Sequence, residues 1–383
     1  MSAIRKLPNR RKGAAENASV GTERMRMFAV ALCGFCPFLA VYTTQPLLPL
    51  LAESFAASNA VASLTITATT LAVALAAPFI GIFADLWGRK ILIVAATLGL
   101  AVPTLSAATA STLHGLIGWR FMQGLLIPGI FSVSLAYISE EWTGATRASA
   151  TSAYVSGNVF GSVSGRVIAG ICASHAGWQA AFEATSILLF CGGCLVWAFL
   201  PVSRNFHRQP NAVDGFRSMA LNLKSRSFLA VAAVGFNTLF VFVATFTYIT
   251  FRLAAAPFDL GSTALGLLFL LNLFGAVATP VAGRWMDRVG ARTGLFAALS
   301  ITAVGLLLTL TPNVVIICAG LALVSTGVFV ANSAASSTLG RVRTEAGLLR
   351  RACTSAPITR AEALARCFRE LPISKVGGVH ALC

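Results

Sequence analysis

Apolar and polar positions do not alternate finely along this chain; they separate into long uncharged apolar runs divided by short polar breaks. The runs fall at 27–50, 62–84, 91–110, 114–138, 150–173, 181–200, 228–251, 262–283, 293–311 and 314–338. Each is close to the roughly 20 residues that a helix needs to cross hydrocarbon. The pattern predicts an all-α membrane protein with ten transmembrane helices. The first run is read as a span and not as a cleaved signal peptide, because similar runs recur and it lacks a small-residue cleavage site.

Composition strengthens this reading. The 383 residues are 56% hydrophobic and 11% charged, whereas soluble domains are roughly half apolar and one quarter charged. A formal charge of +16 would suit a nucleic-acid partner only if the basic residues shared one solvated patch. Instead they occupy alternate loops. Arg5, Lys6, Arg10, Arg11, Lys12, Arg24 and Arg26 precede the first span, Arg89 and Lys90 follow the second, and Arg147 follows the fourth. The connections after spans one, three and five carry no Lys or Arg. This is the positive-inside pattern, which predicts a multi-pass protein of the cell inner membrane with a cytoplasmic N-terminus and no nucleic-acid partner.

Nine cysteines lie mostly inside apolar runs. "CGFC" (33–36) and "CGGC" (191–194) have redox or metal-ligand spacing, but a buried free cysteine behaves as a small hydrophobe. No metal and no cofactor is expected. The four histidines are scattered and form no nucleophile–base–orienter set, so the chain does not read as an enzyme.

One segment repeats. "GIFADLWGRK" at 81 has a counterpart in "GRWMDRVGAR" at 283, both G-x-x-x-D-x-x-G with a basic residue. An offset of 202 residues, 283 minus 81, also lands 27–50 on 229–252, 62–84 on 264–286 and 114–138 on 316–340, each an independent apolar run. The chain therefore reads as a parallel duplication. The domains expected are a basic cytoplasmic tail at 1–26, a six-helix bundle at 27–200, a polar cytoplasmic linker at 201–227, an incomplete four-helix bundle at 228–340 and a basic tail at 341–383 that does not span. The offset calls for two more spans after Arg341, where charges interrupt every few residues. The expectation is a chain that has lost its proper ending through a frameshift. The nucleotide sequence read in another frame beyond this point should then encode two apolar runs; their absence from every frame would exclude the shift. A basic amphipathic surface helix is the other reading of part of this tail.

These motifs resemble those of the major facilitator superfamily of transporters, over about residues 27–340. "GIFADLWGRK" is similar to the family's loop motif between helices two and three, G-x-x-x-D-R-x-G-R-R/K, with Leu86 in place of Arg. "RFMQGLLIPG" (120–129) resembles the helix-four motif R-x-x-Q-G. "GNVFGSVSGRVIAG" (157–170) resembles the helix-five antiporter motif, with Arg166 where proline is expected. With "YTTQPLLPLLAESF" (42–55) the pattern is most similar to the drug and metabolite efflux branch of bacterial inner-membrane carriers. The resemblance implies the major facilitator fold of two pseudo-symmetric bundles, here expected to lack its last two helices, and an intracellular gate at Gly81, Asp85, Gly88, Arg89, Gly283, Asp287, Arg288 and Gly290. In the family the first-loop Asp contacts helix eleven and its counterpart contacts helix five, so Asp287 keeps a partner that Asp85 has lost.

The residues also carry readings of their own. Asp85 at a helix end suits a neighbouring positive dipole, and Gly81 and Gly88 are expected to let backbones approach. Plain topology with a tight turn is the alternative. Arg120 inside a span costs roughly 2.5–3.5 kcal/mol on insertion scales and should face a cavity or partner; snorkelling to the surface is the bland reading. The resemblance gives it, with Gln123 and Gly124, a role in substrate or proton coupling. Gly157, Gly161, Gly165 and Ala169, with Gly170, form a ridge for close packing, which the family links to antiport; Arg166 is expected to pair with Glu183. Tyr42, Gln45, Asn158, Asn237 and Asn272 are polar positions that either line a cavity or bond across helices. No acid lies near mid-span, so no proton carrier is assigned. The function expected is secondary active transport of small organic solutes by alternating access, by proton-coupled efflux, in a monomer surrounded by lipid. The alternatives are a proton-coupled uptake symporter and a truncated product that transports nothing.

Overall fold

The computed structural model describes residues 10–203 and 226–355. Among these residues the regular structure is helical, with no strand. The helices are α1 (Arg10–Tyr42), α2 (Leu48–Ser54), α3 (Asn59–Trp87), α4 (Arg89–Ala108), α5 (Leu113–Glu141), α6 (Gly144–Phe199), α7 (Arg226–Ala254), α8 (Ser262–Leu267), α9 (Asn272–Val289), α10 (Ala291–Leu308) and α11 (Val314–Ser355). Short 3-10 turns, Gln45–Leu47 and Leu268–Leu271, precede α2 and α9.

Length and apolarity alone qualify eight helices as membrane spans among the described residues. One is α6, whose 56 residues are broken by non-helical backbone at Ala176 and Gly177. Thr293–Leu308 is apolar but shorter. The expected ten is therefore not reproduced by length and apolarity; it requires dividing α6 at its break and admitting the short helix. Apolar side chains such as Leu71, Leu75, Phe79 and Phe83 lie half exposed along α3, an arrangement suited to lipid and not to water.

Two ends extend beyond the expected spans. α1 begins at Arg10, well before the apolar run, and α11 continues through the charged "GRVRTEAGLLRRACTS". Ala, Leu, Arg and Glu are strong helix formers whatever their polarity, so apolarity marks the span but not the helix. The expected linker at 201–227 lies largely outside the described residues, as do residues 1–9 and 356–383 of the two basic tails.

The repeat is visible in the backbone. Gly88 joins α3 to α4 at φ 86°, ψ 151°, and Gly290, 202 residues on, joins α9 to α10 at φ 91°, ψ 149°. This region is essentially open to glycine alone. Pro78 and Pro280, again 202 apart, lie inside the preceding helices. Packing partners correspond as well: α3 and α4 both pack on α5, and α9 and α10 both pack on α11.

The glycine ridge of α6 lies against α1. A Cβ at Gly157, Gly161 or Gly165 would strike the backbone of Ala31, Phe35 or Leu39 respectively, while one at Gly34 would strike Tyr154 and Asn158. Four-residue spacing on one helix thus meets the same spacing on the other. Beyond the ridge, Gly170 faces Ser262 and Gly266 of α8. Ser174 and Thr263 hydroxyls lie 2.7 Å apart, and Thr263 donates to the Gly170 carbonyl at 3.4 Å. Leu48, Ala52, Ala62 and Phe251 form an apolar cluster at this same end. The turns at Gly88 and Gly290 lie at the opposite end of their helices.

Candidate functional site

The site begins where α1 stops. Thr43 and Thr44 interrupt the helix, and Gln45 with Pro46 opens the 3-10 turn, in which Gln45 is buried. Gln45 Nε2 donates to Thr247 Oγ1 on α7 at 3.5 Å. These residues are 202 apart, so each meets its own repeat counterpart.

Arg166 lies beside them, 1% exposed. Its Nε donates to Gln45 Oε1 at 2.9 Å and its Nη1 to the Ser162 carbonyl at 2.9 Å. The guanidinium carbon sits 3.7 Å from the centroid of Tyr42 and 4.5 Å from that of Phe269. Such distances place the cation on two aromatic faces, where the ring quadrupoles attract it. Its Nη2 is buried and has no hydrogen-bond partner among the described residues. The expected pairing with Glu183 is not formed: that side chain is exposed, while Arg166 turns into the bundle to meet Gln45. The sequence separation was compatible with a pair, but the rotation of the helix was not.

A cavity of about 100 Å³ adjoins this guanidinium. Tyr42, Asn158, Ser162 and Arg166 wall it from one side; Phe242, Asn272 and Phe329 wall it from the other. Asn272 is 4% exposed; its Oδ1 accepts from Ser325 at 2.7 Å, and its Nδ2 has no partner. Asn158 is spoken for, since the amide orientation that satisfies it donates to the Tyr154 and Gly34 carbonyls at 3.2 and 3.1 Å.

Arg120 occupies a different setting. It is fully buried, so the snorkelling reading does not describe it. Nη1 donates to the Ala40 carbonyl at 2.8 Å and Nη2 to the Val41 carbonyl at 2.8 Å. Nε reaches the Thr65 carbonyl at 3.4 Å, and Nη1 also bonds Gln123 Oε1. Gln123 Nε2 in turn donates to Thr104 Oγ1 at 2.9 Å. Carbonyls in the last turn of a helix lack intrahelical partners, and Arg120 supplies them to α1 from α5. Gly124 is needed nearby because a Cβ would strike Thr69 and Ala72 of α3. Arg252 does the same for α10, donating to the Leu310 and Thr311 carbonyls at 3.0 and 3.1 Å and also to Thr309.

At the charged turn, Arg89 Nη2 lies 3.2 Å from Asp85 Oδ1 and 3.0 Å from Glu140 Oε1, with Nε 3.3 Å from Glu140 Oε2. The two-point contact with Glu140 ties the α3–α4 turn to the end of α5. Gly81 and Gly88 do not let backbones approach there, because a Cβ at either would meet nothing within 4 Å; Gly283 and Gly290 are equally open. Gly88 and Gly290 are required instead by their positive φ. Arg288 is exposed, and the Asp287 side chain lies outside the described residues.

Of the expected cavity residues, the structure gathers Tyr42, Gln45, Asn158 and Asn272 around Arg166, whereas Asn237 is exposed and stands apart. Sequence reasoning missed Glu140, Thr247 and the aromatic walls. Glu140 carried a signal, an acid closing an apolar run beside a basic turn. The phenylalanines carried none, being indistinguishable from lipid-facing ones.

Fold and cavity together describe a polytopic helical membrane protein with a small buried cavity between its N- and C-terminal helices. The family model of the Major Facilitator Superfamily matches residues 30–348. The chain is 31% identical over 317 residues to an uncharacterized transporter of Buchnera aphidicola subsp. Schizaphis graminum, covering 82% of this chain and 76% of that one. It is 32% identical over 275 residues to the inner membrane transport protein YnfM of Escherichia coli, covering 70% and 66%. Among solved structures it resembles a bacterial homologue of the human lysosomal transporter Spinster, in an inward-facing, unoccupied conformation. That likeness has a TM-score of 0.69 at 15% identity and covers 83% of this chain and 75% of that one. This chain belongs to the major facilitator superfamily; it is a multi-pass membrane transporter of small solutes and not an enzyme.

Proposed function

We propose that the chain exports small organic solutes across the bacterial inner membrane by alternating access, in exchange for protons, acting as a monomer with its N-terminus in the cytoplasm. The observation that carries the reading is the cavity beside Arg166, because its walls come from elements on both sides of the repeat. A chamber shared in this way opens to one side or the other when the two sets of helices rock. The contacts of Gly170, Ser174 and Thr263 close its outer end. The Asp85–Arg89–Glu140 cluster sits at the cytoplasmic mouth, where it braces the α3–α4 turn against the end of α5.

Direction is tested by accumulation of radiolabelled solutes in cells with and without the protein under an imposed proton gradient. Export predicts lower accumulation with the protein, rising when the gradient is collapsed. An uptake symporter, the alternative that Arg166 in place of the helix-five proline leaves open, gives the reverse. No difference between the two cell lines for any solute would support the non-transporting alternative and overturn the proposal.

A further inference from the structure

Among the described residues two arginines are fully buried, Arg120 and Arg166, and they differ in how their donors are satisfied. Arg120 spends its nitrogens on helix-end carbonyls and Gln123. Arg166 leaves Nη2 without a hydrogen bond. A buried guanidinium without a carboxylate partner is costly, and the rings of Tyr42 and Phe269 offset part of that cost. The cavity beside it contains a second buried donor, Asn272 Nδ2, also unpartnered. No Asp or Glu lines this cavity, so its wall presents one fixed positive charge with two orphaned N–H groups. The remaining lining is largely apolar, with Phe38, Val159, Phe242 and Phe329.

We propose that this cavity is a binding site for an organic monoanion: a carboxylate or sulfonate head that accepts from Arg166 Nη2 and Asn272 Nδ2, on an apolar or aromatic body that packs among the phenylalanines. The head supplies both the missing charge and the missing acceptors. A neutral solute can supply acceptors but not the charge, and a cationic one opposes it. This substrate class rests on the transport reading above, but binding is separable from transport and is tested apart from it.

The full chain, purified in detergent, is titrated with benzoate, phenylacetate and benzenesulfonate, and with benzamide as the uncharged analogue of benzoate. Binding is read as a shift in thermal unfolding and by calorimetry. At least one anion should bind at least tenfold more tightly than benzamide. Arg166→Gln should remove that preference, lowering anion affinity at least tenfold while leaving benzamide unchanged. Arg166→Lys keeps the charge and should retain a reduced preference, and Asn272→Ala should weaken the anion several-fold. Equal binding of anion and amide, no binding of any anion, or undiminished anion affinity in Arg166→Gln each overturns the proposal. Should the variants fail to fold, the comparison of anion with amide in the unaltered chain still decides. Anion binding that depends on Arg166 in a chain that moves no solute would sink the transport reading alone. Transport of a neutral solute, with anions ignored, would sink this inference alone.

Discussion

At the scale of single residues, the two buried arginines show how one residue type does two kinds of work. Arg120 is a helix cap delivered from another helix, since its contacts are to the Ala40, Val41 and Thr65 carbonyls. Replacing it with leucine leaves the end of α1 with unpaired buried carbonyls, at about 1–3 kcal/mol each. The expected result is a clearly lower melting temperature of the purified protein. Arg120→Lys, which reaches fewer acceptors, should fall between the two. The sequence marked both arginines, Arg120 as a guanidinium inside an apolar run and Arg166 as a departure from the helix-five motif. It did not show which one was fully satisfied. That depends on helix rotation, which also separated Asn237, on an exposed face, from Asn272 in the cavity wall.

At the scale of elements, hydropathy located the spans because transfer to hydrocarbon dominates the energy of a membrane helix. It did not locate their interruptions. The 3-10 turn at Leu268–Leu271 lies within unbroken apolar sequence, and the break after Tyr42 lies in a run kept uncharged through Thr43, Thr44, Gln45 and Pro46; a scale of side-chain transfer is blind to backbone geometry in both. The turns at Gly88 and Gly290 were legible from the repeated motif, though for a different reason from the one expected. The difference is testable. Gly88→Ala should destabilise by about 1–3 kcal/mol because an alanine Cβ disfavours φ 86°. Gly81→Ala, in open space within a helix, should be neutral or slightly stabilising. Thermal unfolding of both variants checks the pair; equal losses would return Gly81 to a packing role.

At the scale of the whole molecule, the duplication was the most legible feature, and the structure repeats it in the paired glycine turns and prolines 202 residues apart. How the two sets of helices meet was not legible, because contact between distant elements leaves no periodic trace in either. The hydroxyls of Ser174 and Thr263, 2.7 Å apart, allow that meeting to be tied shut. Oxidation of the Ser174→Cys/Thr263→Cys chain in vesicles should abolish transport, and reductant should restore it. Transport that survives a formed disulfide would mean that this end never opens.

The glycine ridge has a mechanical consequence. Backbone contact from Gly157 to Gly165 welds α6 to α1, so Tyr42 and Arg166 travel as one piece, whereas Phe269 rides beyond the seam. Any swing that parts the two sides peels one ring from the guanidinium and leaves the other behind. The wetting of Arg166 is thereby a gauge of how far the molecule has swung.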